Sequence, residues 1–261
     1  MHSAFEQAVL WEYVSKNPFQ KAALPLVHPH PCKFLEPEEI KYFLKSCDDA
    51  TLALAVHLTF SASLRKGELL ALTWVDIDFE NQALHINKTL SRVSCDAVDA
   101  LNGKDILFYF PPIQQEHQTW LILKHPKTES SIRTVYLPSS VVKLLAEYRK
   151  SKLISKYPIR SEEYEPELIF CYPDGRPIQE STLSKRFHSQ LSRLGLPKVS
   201  FHSLRHSSIT YKLILSCGNI KAVQGDSGHS QAEMVTDLYG HVLDKSRREN
   251  AARFECDFYL K

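Results

Sequence analysis

The order of hydrophobic patterns along the 261-residue chain constrains its fold more than any other feature. Apolar residues recur at helical spacing up to about residue 61, alternate as in strands between about residues 74 and 137, and return to helical spacing from Val141 almost to the end. Helices, then strands, then helices favour segregated elements over alternating βαβ units. The pattern therefore predicts an α+β fold that is mainly helical, with a small antiparallel sheet.

Local signals place the amino-terminal helices. Apolar spacing predicts a first helix over Ser3–Ser15, and Asn17-Pro18 ends it because proline disfavours helix at the preceding residue. The proline-rich stretch Lys21–Lys33 is predicted to be an extended linker. Proline and acidic residues in a first turn predict that a helix begins within Leu35–Glu39. An alanine- and leucine-rich helix is predicted from about Thr51 to Ser61.

The middle of the chain carries the strand predictions. Trp74–Asn87 alternates between apolar and polar residues around a turn at Asp78–Asn81. The stretch from Ser91 to Gln118 has no clear periodicity, and we interpret it as a hairpin insertion. Tyr172–Arg176 contains proline, aspartate and glycine and is predicted to be a turn. Further strands are predicted at Ile106–Phe110, Trp120–Leu123 and Thr134–Leu137.

Composition excludes several classes of protein. None of the six cysteines forms a C-x-x-C pair or stands beside a histidine at zinc-finger spacing. No secretory leader opens the sequence, and no apolar run approaches the roughly 20 residues that span a bilayer. A net charge of +2 excludes a polybasic tail as the main binding device but is compatible with a basic groove. We therefore expect a cytoplasmic protein with reduced thiols and no metal site.

Several polar residues stand in positions that suggest chemistry. His202 and Arg205 are three residues apart, so on a helix they share a face. Arg65 follows the alanine-rich helix directly, and Lys127 lies in a turn between predicted strands. Each alone is more simply interpreted as a surface charge or a satisfied core residue, and only their combination is informative. In chain order they are Arg65, Lys127, His202, Arg205, His229 and Tyr239.

These residues, in this order, resemble the catalytic domain of the tyrosine recombinase (phage integrase) family. The likeness extends over roughly Leu35–Leu243, and all six family positions hold the expected residue types. It implies the tyrosine recombinase catalytic fold. Ser63 departs from the pattern, because many members have glycine there, and a slightly different turn is expected. The segments that carry the resemblance are Leu64–Trp74 with Asp76–Asp78, Pro126–Thr128, His202–His206, Gly228–Ser230 and Asp237–Val242.

The resemblance implies the chemistry of DNA strand exchange. Tyr239 would attack a DNA phosphodiester, form a 3′-phosphotyrosyl intermediate and allow religation without ATP. A phenol has a pKa near 10, so the tyrosine needs help in losing its proton, and His202 is the implied base. Arg65 and Arg205 would hold the two non-bridging oxygens of the phosphate.

The remaining implied roles support that step. Lys127 would donate a proton to the leaving 5′-oxygen, and His229 would hydrogen-bond the phosphate. Glu68, which resembles the acid that the family carries near its first arginine, would orient the other side chains. No cofactor and no metal are implied. The implied function is integration or excision of a mobile element by site-specific recombination.

The resemblance also implies a division of the chain and a set of partners. Residues 1–20 resemble the last helix of a core-binding domain, 21–34 a linker, 35–243 the catalytic domain, and 244–261 a tail that docks on a neighbouring protomer. We therefore expect a shortened chain that acts as a homotetramer on double-stranded DNA attachment sites. No membrane and no small-molecule substrate are expected, and the cell would be bacterial or phage-infected, with the protein at the nucleoid.

Two alternatives use the same residues differently. A type IB topoisomerase performs the same tyrosine chemistry but relaxes supercoils alone. A catalytically idle DNA-binding or assembly module would keep the fold without the reaction, although six intact family positions argue against decay.

Overall fold

A computed structural model describes most of the chain, in two units. The described residues are 1–22, 33–100, 103–110, 119–126, 128–153, 167–173, 175–216, 218–228, 251–252 and 254–259. One unit comprises Met1–Cys32 and the other Lys33–Lys261. Among the described residues no helix is long and apolar enough to cross a membrane.

The first unit consists of one short helix and a turn that folds back on it. Helix α1 spans His2–Leu10 and ends earlier than the predicted Ser15, because Glu12 adopts a left-handed backbone with φ of 60°. The Asn17 side chain donates to the His2 carbonyl at 3.2 Å and to Glu6 Oε1 at 2.8 Å. These bonds fasten the turn to the helix. Most of the predicted linker, from residue 23 to 32, lies outside the described residues.

Helices are the main secondary structure among the described residues of the second unit. Helix α3 is central, because it packs against α2, α4, α6, α7 and α8 and buries residues on nearly all its sides. Its alanine- and leucine-rich sequence suits a helix that is apolar all round. In chain order the described helices are α2 (Pro37–Lys45), α3 (Ala50–Ala62), α4 (Lys66–Leu70), α5 (Cys95–Ala100), α6 (Ser139–Leu153), α7 (Glu180–Arg193), α8 (Ser203–Leu215) and α9 (Ile220–Ser227).

The described strands are β1 (Ile77–Asp78), β2 (Ala83–Ile86), β3 (Thr89–Ser94), β4 (Ile106–Phe110), β5 (Thr119–Lys124) and β6 (Arg133–Tyr136). They form two three-stranded antiparallel sheets where one small sheet was predicted. The first has the order β1-β2-β6 and buries Leu84 opposite Val135. The second has the order β3-β5-β4, and its strands β3 and β4 lie largely within the stretch interpreted as a hairpin insertion.

Strand β3, like the short helices α4 and α5, was not predicted from the sequence. Its two apolar residues, Leu90 and Val93, are an odd number of positions apart and so point to opposite faces of the sheet. Leu90 joins the main core, whereas Val93 does not. The period-2 signal is therefore absent even though the strand pairs along its whole length with β5. The α+β class, mainly helical with small antiparallel sheets, is confirmed.

Candidate active site

Helix ends and one strand end bring three arginines to the same place. Arg65 is the N-cap of α4, Arg133 begins β6, and Arg205 lies in the first turn of α8. The chain between α3 and α4 reverses at Ser63, which has a left-handed backbone with φ of 53°. The resemblance led us to expect a slightly different turn here, because many members have glycine at this position; the serine adopts the left-handed conformation that glycine favours.

Arg205 is a buried cation held by backbone carbonyls. Its side chain is among the largest fully enclosed in the protein, with the residue 2% exposed. Nη1 donates to the carbonyl of Ser63 and Nη2 donates to the carbonyl of Ser227 at 2.6 Å. A buried charge is tolerated only when such partners compensate for lost water. The guanidinium is therefore fixed between the ends of α3 and α9.

Arg65 is the more accessible cation, with 38% of its side chain exposed. Its Nη1 lies 2.6 Å from Glu68 Oε1, and its Nη2 donates to the carbonyl of Gly228 at 3.1 Å. The Glu68 carboxylate also accepts the backbone N–H of Arg65 at 2.9 Å. The Glu68 carboxylate thus both caps α4 and binds the Arg65 side chain.

Glu68 is itself buried, at 3% exposure, and carries a negative charge. Burial raises the pKa of its carboxyl, but hydrogen bonds and charge from Arg133, together with hydrogen bonds from Arg65, outweigh burial and leave the pKa below its ordinary value. Arg133 was not among the predicted site residues. A buried acid requires cationic partners, yet the sequence contains 32 lysines and arginines and does not say which one meets it.

The carboxyl end of α9 faces all three arginines. Three consecutive carbonyls accept guanidinium N–H groups: Asp226 from Arg133 at 2.8 Å, then Ser227 from Arg205 and Gly228 from Arg65. Carbonyls at a helix end lack partners within the helix and form the negative end of its dipole, so cations stabilise them. The cluster therefore anchors the segment that continues into His229.

His202 lies beside the arginines, immediately before α8. Its ring centroid is 5.0 Å from that of His206. The side chain is exposed overall, yet enough protein surrounds the ring that desolvation lowers its pKa to about 4, with repulsion from His206, Arg205, Arg65 and Lys66 adding to the shift. The imidazole is therefore neutral at pH 7. A neutral ring can accept a proton, which an imidazolium cannot.

The structure thus brings together four of the residues singled out from sequence, namely Arg65, Glu68, His202 and Arg205, and adds Arg133 to them. The other three, Lys127, His229 and Tyr239, lie outside the described residues.

Comparison with known protein families gives a match to the model described as "Phage integrase family" over residues 110–246, just over half of the chain. A "Tyrosine recombinase XerC-like" protein of Caldanaerobacter subterraneus is 30% identical over 98% of this chain and 63% of its own length. The integrase of Staphylococcus phage L54a is 29% identical over 78% of this chain and 51% of its own length. The ICEBs1 integrase of Bacillus subtilis is 27% identical, with 96% and 62% covered. The chain therefore spans about half to two thirds of the length of these relatives.

Solved structures share the fold. The Tn1549 transposon integrase, in complex with a circular intermediate DNA, aligns over 97% of this chain and 76% of its own with a TM-score of 0.72 at 22% identity. The XerA recombinase aligns over 97% and 74% with a TM-score of 0.59 at 18% identity.

Proposed function

The chain belongs to the phage integrase family, and we propose that it carries the catalytic domain of a tyrosine-type site-specific recombinase. Its substrate would be double-stranded DNA at the attachment sites of a mobile element in a bacterial cell, where it would act at the nucleoid. The Tn1549 integrase was solved with a circular intermediate DNA and the XerH recombinase with its difH substrate. Recombination of this kind joins two duplexes, so the active assembly is proposed to be a homotetramer.

The placement of Arg65 and Arg205 supports this function most directly. Their guanidiniums donate to the adjacent carbonyls of Gly228 and Ser227, so two permanent cations are held close together before any substrate binds. A phosphodiester under attack gains negative charge on its non-bridging oxygens. Cations that the fold already holds in place stabilise that charge, and removing one preorganised donor typically costs about 3 kcal/mol.

The proposed reaction conserves both bonds and protons. The Tyr239 phenol oxygen bonds to phosphorus, and the bond from phosphorus to the 5′-oxygen breaks. The phenol proton passes to neutral His202, and Lys127 supplies a proton to the departing 5′-hydroxyl. Because the phosphotyrosyl ester replaces one ester by another, a 5′-hydroxyl can reverse the step without ATP.

The two arginines are proposed to contribute differently. Arg65, partly exposed, is the guanidinium that an incoming phosphate reaches first. Arg205 is enclosed, with the Ser63 and Ser227 carbonyls bound to its terminal nitrogens. Arg205 would at first act on the phosphate through its positive potential. It would donate a hydrogen bond to the phosphate once the end of α9 moves and releases an Arg205 N–H from the Ser227 carbonyl. His229 would then add a hydrogen bond from the segment that follows Gly228.

A suicide duplex tests the function. The DNA would contain the end sequence of the element that encodes the protein, with a nick close to the cleavage position. The short fragment that carries the released 5′-hydroxyl then diffuses away, so it cannot reverse cleavage and the covalent adduct is trapped. We expect an adduct with the 261-residue chain, none with Tyr239→Phe, and a trapped peptide containing Tyr239 by mass spectrometry. No adduct, an adduct that survives Tyr239→Phe, or a different trapped nucleophile contradicts the proposal. Efficient relaxation of supercoiled plasmid lacking paired sites would indicate a topoisomerase instead.

A further inference from the structure

Arg133 occupies the centre of the cluster, although no chemical role has been assigned to it. Its side chain is only 6% exposed. The guanidinium donates in three directions: to Glu68 Oε2 at 2.9 Å, to the Asp226 carbonyl at 2.8 Å and to the Ser131 carbonyl at 3.1 Å. An arginine this enclosed is not placed to contact a substrate itself, but it can position the groups that it holds.

We propose that Arg133 is a positioning residue for strand cleavage, which sets Arg65 through Glu68 and sets the carboxyl end of α9 directly. The inference rests on the proposed cleavage reaction, because that reaction is where correct positioning becomes measurable.

The first connection passes through Glu68. Arg133 Nη2 donates to Glu68 Oε2 at 2.9 Å and Arg133 Nη1 donates to Oε1 at 3.3 Å, the oxygen that also lies 2.6 Å from Arg65 Nη1. The forked contact with Arg133 therefore fixes the plane of the carboxylate that Arg65 shares. Without Arg133, the buried carboxylate would turn towards Arg65 and bind it more tightly. Arg65 would then be both displaced and more fully neutralised where it should meet a phosphate.

The second connection runs to the end of α9. Arg133 Nε donates to the Asp226 carbonyl, and Gly228 lies directly on the same side chain. A Cβ built on Gly228 would be 2.9 Å from Arg133 Nη1, closer than real Cβ atoms come, and 3.2 Å from Arg133 Cδ, which is a tight contact. Arg133 therefore acts as a platform for the helix end whose next two carbonyls hold Arg205 and Arg65. Two independent routes lead from this one side chain to the phosphate-binding cations.

Three substitutions test the proposal. Arg133→Gln removes the charge and the fork of donors, whereas Arg133→Lys keeps the charge alone. Arg186→Gln is the matched control, because it breaks an arginine–carboxylate pair of 3.1 Å with Asp49 at another place in the fold. Each variant is assayed for the single-turnover rate of adduct formation on the suicide duplex at saturating protein, and for the Kd of the same duplex.

Misplacement of catalytic groups by about 1 Å can reduce a rate on the order of 100-fold. We therefore expect Arg133→Gln to cleave about 100-fold more slowly with Kd changed less than about threefold, because it does not touch DNA. Arg133→Lys should restore roughly a tenth of the rate, since an ammonium satisfies one partner but not all three. Arg186→Gln should cleave within about twofold of the wild type, because its ion pair is partly exposed and remote.

A double-mutant cycle separates positioning from general loss of structure. If Arg133 acts partly through Glu68, then Arg133→Gln should cost less in a Glu68→Gln background than in the wild type. Circular dichroism at the assay temperature establishes that each variant is folded. If neither substitution at position 133 folds, Arg133 is only a stability residue and the proposal is overturned.

Other outcomes also decide. A folded Arg133→Gln that cleaves at the wild-type rate overturns the inference alone. So does a loss of duplex affinity as large as the loss of rate, which would mean direct DNA contact, or strict additivity with Glu68→Gln. A wild-type chain that forms no adduct overturns the proposed function and this inference with it.

Discussion

Replacing Gly228 by alanine should destabilise the protein by two separable effects. Gly228 ends α9 with φ of 64°, a left-handed conformation. A side chain in that region costs roughly 1–2 kcal/mol. In addition, the new Cβ would lie 2.9 Å from Arg133 Nη1 and 3.0 Å from the Ser130 carbonyl. The carbonyl belongs to the backbone and cannot swing aside, so we assign about 1–2 kcal/mol to steric relaxation.

Two other glycines provide internal controls for the same substitution. Gly195 also has a positive φ, of 66°, but its Cβ would meet nothing within 4 Å. Gly195→Ala should therefore show the backbone effect alone, roughly 1–2 kcal/mol. Gly225 lies inside α9, has no positive φ, and its Cβ would also meet nothing within 4 Å. Gly225→Ala should stabilise the protein by up to about 1 kcal/mol, because alanine is the better helix former.

Urea unfolding monitored by circular dichroism measures the free energy of unfolding of the three variants. The expected order of stability is Gly225→Ala, wild type, Gly195→Ala and then Gly228→Ala, with the last about 2–4 kcal/mol below wild type. Equal losses for Gly228→Ala and Gly195→Ala would refute the reasoning, because the close approach of α9 to Arg133 would then carry no cost. A neutral or stabilising Gly228→Ala would refute it more strongly.

Two further predictions concern other sites. Gly67→Ala should lower the free energy of unfolding by about 1–3 kcal/mol, because its Cβ would be 2.5 Å from Thr89 Oγ1 and 2.9 Å from the Leu90 carbonyl. Stabilisation of the kind expected for alanine in an open helix would contradict that packing. Because desolvation lowers the pKa of His202 in the folded protein to about 4, below its ordinary value of 6.5, its stabilising contribution is present above pH 6.5 and is lost as the pH falls towards 4. The urea-derived stability of wild type should therefore fall more steeply over that window than that of His202→Asn, and equal slopes would contradict the shifted pKa.

Elements with local signals were predictable from the sequence. Helix α3 was predicted at Thr51–Ser61 and spans Ala50–Ala62, because its cap and its composition both act locally. The Asp49 carboxylate accepts the N–H groups of Thr51 and Leu52 at 3.0 Å each. The strand β5 was likewise found within a residue at each end, since its apolar run is compact.

Features that depend on distant residues were not predictable. The pairing of Arg133 with Glu68 joins residues 65 positions apart in the chain. No local pattern distinguishes this arginine from a solvated charge at the start of a strand. The grouping of Arg65, His202 and Arg205 was inferred from family resemblance, and their spacing alone does not dictate it. The carbonyls of α9 that hold the arginines are backbone groups, on which sequence patterns carry no information.

The sharing of Glu68 has a consequence for charge balance. Among the described residues of the cluster, the Glu68 carboxylate is accompanied by three guanidiniums, those of Arg65, Arg133 and Arg205, so the cluster carries an excess of two positive charges. A DNA phosphodiester carries a single negative charge and would offset half of that excess. In the proposed complex the substrate would therefore reduce a charge imbalance that the polypeptide alone leaves in place. Folding and recognition would then be thermodynamically linked, since the anion that is processed also relieves repulsion within the protein that processes it.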